Sequence, residues 1–274
     1  MKLLAGLHYA VLAGKASWDD VPRALDEQGD FLREFVRRTD VQTNEVQRSW
    51  MLVPCFLEIA RRTGAETLDV IELGPSAGFN LLWDAYRYRY QDAEWGPADA
   101  ELELTGDERR PVPAELLRLS PRVRQRVGID IEPIDVTARY GVLALKSFIW
   151  PDQQWRLELL DRAVEAVRRR KPPIIEGDLV DELPRLLAAR RRDALTLVYQ
   201  TAVLGYLPPE RRDLVYEALD DAGREGSLAY VGTHSPLDES EHYYGLGIQV
   251  WPGAGEREIA AHADFHGAWI EWLL

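Results

Sequence analysis

Glu72-Leu-Gly-Pro-Ser-Ala-Gly78 is the stretch whose residue types and spacing could do chemistry. It follows the apolar run Leu68-Asp-Val-Ile-Glu-Leu73, and a helix is expected from Phe79. Glycine lacks a side chain and a helix start offers free amides, so an anionic or polar ligand can come close to such a turn. Several chemistries compete for it. Gly74-x-Ser76-x-Gly78 matches a nucleophile elbow, which would make Ser76 a hydrolase nucleophile backed by Asp193 or Asp264 and His266. A hydrolase core wants strands upstream, whereas residues before the turn read as helix and no His-Gly-Gly stretch appears. A nicotinamide site needs a second glycine where Ser76 stands, and a phosphate loop needs a Gly-Lys-Ser/Thr ending that is missing. A plain structural turn is the remaining reading.

The acids that follow favour another ligand, S-adenosylmethionine. Glu72 stands two places before Gly74, Asp130 closes Gly128-Ile-Asp130, and Asp178 follows Pro173-Ile-Ile-Glu-Gly177. In that order Gly74, Ser76 and Gly78 would cradle the methionine end, Asp130 would accept from the ribose hydroxyls, and Asp178 would lie near the adenine amine. Each acid alone suits a strand end or a helix cap equally well. Methyl transfer then needs an acceptor held in line and, for some acceptors, a base. Tyr199 and Gln200 at one strand end could orient the acceptor, and His234 at the next could take its proton, or all three could be structural.

Other groupings have plainer readings. His262, Asp264 and His266 would share one face of a strand, which suits a metal or a half-solvated edge; no metal is expected. Asn44, Glu45 and Arg48 could form a lid, or an exposed helix start with an internal Glu45 to Arg48 pair. Tyr86, Tyr88, Tyr90 and Trp95 could wall an acceptor site or pack an insertion. The lone Cys55, in an apolar stretch, suits the core and cannot form a disulfide within the chain.

The elements that position these residues alternate. Residues 1–66 read as an N-terminal helical cap, with Leu25, Phe31, Leu32, Phe35 and Val36 and then Val46, Trp50, Val53 and Leu57 at helical spacing, and Pro54 kinking or restarting the second helix. Residues 67–274 read as an α/β core interrupted by an inserted hairpin and loop at about 87–127. Strands at Leu68–Leu73, Gly128–Ile131, Pro173–Asp178, Ala194–Tyr199 and Ser227–Val231 alternate with helices, which implies a doubly wound, mainly parallel, Rossmann-like sheet. Gly245–Val250, a Pro252–Gly255 turn and Glu256–Ala263 imply a terminal antiparallel hairpin.

Composition narrows the partners. The chain has 274 residues, 46% hydrophobic and 29% charged, which suits a folded globular protein. A net charge of -13 repels phosphate backbones, so nucleic acid is not an expected partner. No apolar run reaches the ~20 residues that span a bilayer, and the first eight residues are too mixed for a signal peptide, so no membrane partner and a cytoplasmic location are expected.

From Leu68 to Trp272 this pattern resembles the class I S-adenosylmethionine-dependent methyltransferases, closing hairpin included, although their central glycine is Ser76 here. Gln42-Thr-Asn-Glu-Val46, Glu72–Leu81, Tyr86-Arg-Tyr-Arg-Tyr90, Gly128–Val136, Trp150-Pro-Asp152, Thr201–Leu207 and His266-Gly-Ala-Trp269 are similar to the bacterial family called Domain of Unknown Function 2332. The resemblance implies a methyltransferase-type fold, S-adenosylmethionine as cofactor, and methyl transfer to a small molecule, or less readily to a protein. The Asp-Pro-Pro-Tyr type motif of amino methyltransferases acting on DNA bases is missing, since the fourth strand ends Val198-Tyr-Gln-Thr-Ala202. A serine hydrolase using Ser76, or a non-catalytic interaction module on the same fold, are the alternatives.

Overall fold

The computed structural model describes residues 1–39, 44–234, 242–253 and 257–274. Gln42 and Thr43 of the N-terminal motif, Ala254 and Gly255 of the expected tail turn, and Glu256 lie outside the described residues. Backbone packing divides the chain into two compact units, residues 1–45 with 134–170, and residues 46–133 with 171–274. The boundary expected near residue 66 falls between two elements of the larger unit.

The smaller unit is helical: α1 (Lys2–Leu12), α2 (Val21–Glu27), α3 (Gly29–Arg38), α5 (Arg139–Ser147) and α6 (Gln154–Arg170). α1 packs on α3 and α5. Of the apolar positions expected to face inward, Leu32 and Phe35 are buried while Leu25 and Val36 are exposed. Glu45 pairs with Arg156 of α6.

Among the described residues the larger unit holds α4 (Arg48–Thr63), α7 (Leu179–Ala189), α8 (Pro209–Gly223) and twelve strands: β1 (Thr67–Leu73), β2 (Arg87–Arg89), β3 (Glu94–Trp95), β4 (Glu103–Thr105), β5 (Asp107–Arg110), β6 (Arg122–Asp130), β7 (Ile174–Glu176), β8 (Leu195–Gln200), β9 (Leu228–His234), β10 (Tyr244–Trp251), β11 (Glu258–Ala263) and β12 (Trp269–Trp272). Nine of them form one sheet in the order β5-β12-β11-β10-β9-β8-β1-β6-β7. β7, β6, β1, β8 and β9 run parallel. The chain steps outward from β1 to β6 and β7, then returns to the other side of β1 for β8 and β9, so the strand order reverses between β1 and β8. In an open α/β sheet, the crevice outside the carboxyl ends at such a reversal is where ligands bind.

Strand alternation assigns the two faces. Ile71, Leu73, Ile129, Val198, Leu228 and Tyr230 pack against Leu179, Leu183 and Leu187 of α7 and Val215 and Leu219 of α8. Glu72 and Tyr199 point the other way, where Phe56 of α4 meets the Tyr199 ring at 5.0 Å. Past β9 the sheet turns antiparallel through β10, β11 and β12, so the expected hairpin gains a strand. β5, from within the insertion, adds in parallel to β12, with the Arg109 guanidinium 3.4 Å from the Trp269 ring centre. β2, β3 and β4 form a separate small sheet. β6 begins at Arg122, six residues before the expected Gly128. Arginines obscure that start in the sequence, yet they are neutralised in place: Arg124 pairs with Asp69 and Asp193, and Arg126 with Asp84.

Two expectations about helices are corrected. α4 runs unbroken through Pro54. Proline has no amide hydrogen to bond the carbonyl four residues back. That carbonyl, of Trp50, instead accepts from the Tyr90 hydroxyl at 2.6 Å, and the two rings stack 5.2 Å apart. The helix expected from Phe79 is a short 3-10 segment, Asn80–Ala85. Its carbonyls have side-chain partners. The Tyr86, Tyr199 and Tyr88 hydroxyls donate to Phe79, Asn80 and Trp83 at 2.8, 3.0 and 2.6 Å, and Arg126 donates to Leu81 at 2.6 Å. An α-helix is not needed to satisfy them.

The Tyr90 bond makes a double-mutant prediction. Tyr90→Phe orphans a buried carbonyl and should cost about 1–3 kcal/mol in urea unfolding. With Pro54→Ala, residue 54 regains an amide for Trp50, and the Tyr90→Phe cost should fall by at least half. Equal costs in both backgrounds would show that the hydroxyl does not substitute for the missing amide.

Candidate functional site at the strand reversal

The turn that ends β1 is built from left-handed residues. Gly74, Ser76 and Gly78 have φ of 70°, 51° and 80°. Glycine adopts such values freely, but a serine there is strained by roughly 1 kcal/mol or more. Across the reversal, Ala202 just after β8 is left-handed too, at φ 71°, and its amide donates to the Thr233 hydroxyl at 2.8 Å. Left-handed non-glycine backbone thus stands on both sides of the crevice, as it does at Lys171 and Ser227 elsewhere in the chain.

The turn is tied down from below and beside. The Ser76 amide donates to Asp130 Oδ2 at 2.7 Å, while Asp130 Oδ1 accepts from the Glu132 amide at 3.0 Å. The Gly74 amide donates to the Ile129 carbonyl at 2.9 Å, and the Gly78 amide to the Pro75 carbonyl at 2.8 Å. The bare faces of the glycines are used by the protein itself. A Cβ at Gly74 would meet Val203 at 2.6 Å, and one at Gly78 would meet Pro172 and Ile174 at 3.1 and 3.2 Å. Gly78 is buried, while Gly74, Ser76 and Asp130 keep partial exposure.

Beneath the turn, Glu72 is 1% exposed. Burial, with Asp130 adding a like charge, pushes its carboxyl up to about 8, against the pull of Tyr199, Asn80 and Arg48. It is therefore largely protonated at neutral pH. The Tyr199 hydroxyl is the donor toward Glu72 Oε2, at 3.3 Å, and toward the Asn80 carbonyl, at 3.0 Å. The Asn80 side chain bonds Glu72 and accepts from the Ser49 hydroxyl at 2.7 Å, which links α4 to the turn. Burial beside Glu72 raises the Tyr199 phenol well above its ordinary range.

The remaining candidates separate. Asp178 caps α7 by accepting from the Val180 amide at 2.9 Å and pairs with Arg211 of α8. Tyr199 and Gln200 are both fully buried and, as neighbours on β8, face opposite sides of the sheet. Gln200 shares its side with His234: its amide nitrogen donates to the Tyr230 hydroxyl at 3.2 Å and to the Thr233 carbonyl at 3.1 Å. Burial first, then Arg257 and Arg212, lower His234 to about 4, so it is neutral at pH 7 and a weak base. Arg48 is buried at the start of α4, where it donates to the Phe265 carbonyl at 2.9 Å and reaches the Thr201 hydroxyl at 3.5 Å. Tyr86, Tyr88, Tyr90 and Trp95 are core: Trp95 stacks on Trp83 at 5.4 Å.

Asp193 precedes β8 and so lies at the amino edge of the sheet, opposite Ser76, bound to Arg124 and Arg191. It cannot serve a Ser76 nucleophile. Asp264 accepts from the His266 and Ala268 amides of its own turn, and His262 lies 3.7 Å from Glu271. Among the described residues no group of His, Cys, Asp or Glu could hold a metal ion, and no helix is long and apolar enough to cross a membrane. Ser49, Asn80, Val203 and Thr233 belong to the site although nothing in their spacing marks them.

A doubly wound sheet with a strained glycine turn at its reversal defines a Rossmann-like α/β protein. The chain belongs to the bacterial family described as "Uncharacterized protein conserved in bacteria (DUF2332)", matched over residues 3–272. No curated protein matches it.

Glu72 sets a pH dependence. Its folded value, about 8, lies above its ordinary 4.5, so the folded state binds this proton more tightly than the unfolded state. The stabilisation is complete below about 4.5 and is lost as pH rises through about 8. Urea unfolding of wild type and Glu72→Gln across that window should show a gap opening in favour of the glutamine variant. At the upper end the gap should be on the order of a few kcal/mol. A gap independent of pH would mean that Glu72 ionises normally in the folded protein.

Proposed function

We propose that this protein binds S-adenosylmethionine at the carboxyl edge of β1, β6 and β7 and transfers its methyl group to a small molecule. The observation that carries the reading is the adjacency of three strand ends. The turn after β1, Asp130 at the end of β6 and Asp178 after β7 follow one another along a single sheet edge, beside the strand reversal. That is the order in which the methionine, ribose and adenine parts would lie.

The residues fit the cofactor best at its ribose. Each carboxylate oxygen of Asp130 accepts one amide and keeps a second lone pair for a ribose hydroxyl. Gly74 and Ser76, partly exposed, would meet the methionine end with their backbone. Glu72 acts from beneath, as a neutral, buried support for the turn. Asp178 has its oxygens on Val180 and Arg211, so adenine would meet an ion pair there and not a free carboxylate. The bound cofactor supplies a methyl group already activated on a sulfonium. Protein groups then have to align the acceptor and, where it carries a proton, remove it. Of these strand-end residues His234 is the partly exposed one and would be a weak base for that proton; Tyr199 and Gln200, sealed from water, suit support of the strand ends. The net charge of -13 favours a small acceptor over a nucleic acid.

Calorimetric titration with S-adenosylmethionine and with its demethylated product should give binding by at least one, weakened about tenfold or more by Asp130→Ala. No heat from either ligand, or undiminished binding by a folded Asp130→Ala protein, would sink the assignment. A fluorophosphonate that labels Ser76 in the wild-type protein would replace it with hydrolase chemistry.

A further inference from the structure

Away from the turn, on the α8 side of the sheet, Gly232 of β9 and Gly247 of β10 stand directly opposite each other. Two paired glycines leave the sheet floor bare, and polar side chains fold over it. The Tyr230 hydroxyl lies over Gly232. His234 Cδ2 and Arg257 Cδ lie 2.9 and 2.7 Å from the point that a Gly247 Cβ would occupy, so imidazole and arginine stem share one small space. The Arg257 guanidinium carbon sits 4.3 Å from the Tyr216 ring centre and 5.1 Å from that of Tyr230. Tyr216 and Arg212 are one turn apart on α8, and the Arg212 charge, after burial and Arg257, lowers His234.

Charge is unbalanced there. Several other partly buried arginines meet carboxylates: Arg62 with Glu58, Arg124 with Asp69, Arg126 with Asp84. Among the described residues neither Arg212 nor Arg257 has a carboxylate partner, although acids outnumber bases by 46 to 33 in the chain. Three buried polar atoms at this place also lack partners: Arg257 Nε, His234 Nε2 and Gln200 Oε1. Two guanidinium charges near a neutral imidazole repel each other, and the orphaned polar atoms carry a desolvation cost. A compact anion would relieve both. Its own hydroxyl or amine could reach Gln200 Oε1.

We propose that Arg257, Arg212 and His234 form a binding site for the carboxylate or phosphate group of a small ligand, with Gln200 accepting from a neighbouring hydroxyl or amine of that ligand. The site does not depend on which cofactor the turn binds.

The test follows the His234 ring in the full-length protein by NMR, its signal identified by loss in His234→Gln. Inorganic phosphate and malonate are titrated separately, with chloride at matched ionic strength. Among the described residues, Arg257 and Tyr230 lie beside His234 over the paired glycines and the charges of Arg257 and Arg212 act on it, so an added anion is a new charge that its signal reads. Phosphate or malonate should shift the signal saturably and raise its apparent pKa by about one unit or more, which chloride should not do. Response to one oxyanion and not the other tells which source the site prefers. Arg257→Gln should weaken the response about tenfold or more. If loss of the arginine stem disturbs the fold, Arg212→Gln makes the same test from α8. No saturable response to either oxyanion, an equal response to chloride, or an undiminished response in the folded arginine variants would overturn the proposal.

Discussion

Glu72 is a carboxyl group almost without access to water in an inner strand of a nine-stranded sheet. An ionised carboxylate there would cost several kcal/mol unless paired at close range, so the group stays protonated and must be hydrogen bonded as a neutral acid. Much of the larger unit answers that requirement. Tyr199 from β8 donates to it, and the Asn80 side chain bonds it as well. Ser49 fixes Asn80 from α4. The first turn of α4, the end of β8 and the 3-10 segment are thereby locked to β1 at the point where the glycine turn begins. The turn inherits its position from a buried acid that no ligand needs to touch.

The same economy of donors shapes the elements around it. Phenolic hydroxyls and one guanidinium take up the carbonyls of residues 79, 80, 81 and 83, so the chain leaves the turn in a short 3-10 segment and enters β2 at once. Tyr90 does the same for Trp50, which lets α4 carry Pro54 without breaking. These aromatic residues line no open cleft. They are the donors that a denser helical backbone would otherwise have supplied, and they join the small sheet of β2, β3 and β4 to the core.

At the crevice, two roles that could belong to one set of residues are divided between the faces of β8. The α4 side carries Glu72, Tyr199 and the Arg48 to Thr201 contact; the α8 side carries Gln200, Tyr230, His234 and the two arginines. The glycines of the turn admit Val203, Pro172 and Ile174. Close approach is thus spent on the protein's own packing, and exposed backbone at Gly74 and Ser76, with Asp130 beside it, is left to face a ligand.

The alternation of apolar runs with amphipathic stretches determined the α/β class, the parallel core strands and the antiparallel tail, because each depends on local periodicity that a single segment reveals. The glycine turn and the series Glu72, Asp130, Asp178 were legible for the same reason: each lies at a strand end marked by its own neighbours. Tertiary structure alone decided what those groups do. Whether Glu72 is charged depends on its burial, whether Asp178 is free depends on Arg211 from a distant helix, and whether Pro54 breaks α4 depends on Tyr90, thirty-six residues on. The early start of β6 was hidden because its arginines read as solvent-exposed until Asp69, Asp84 and Asp193 are brought beside them. Arg212 and Arg257 were invisible as a pair, since only the register of Gly232 against Gly247 clears the floor over which His234 and Arg257 meet. Protonation, pairing and shared space are properties of what surrounds a group, and in a folded chain most of what surrounds it is far away in sequence.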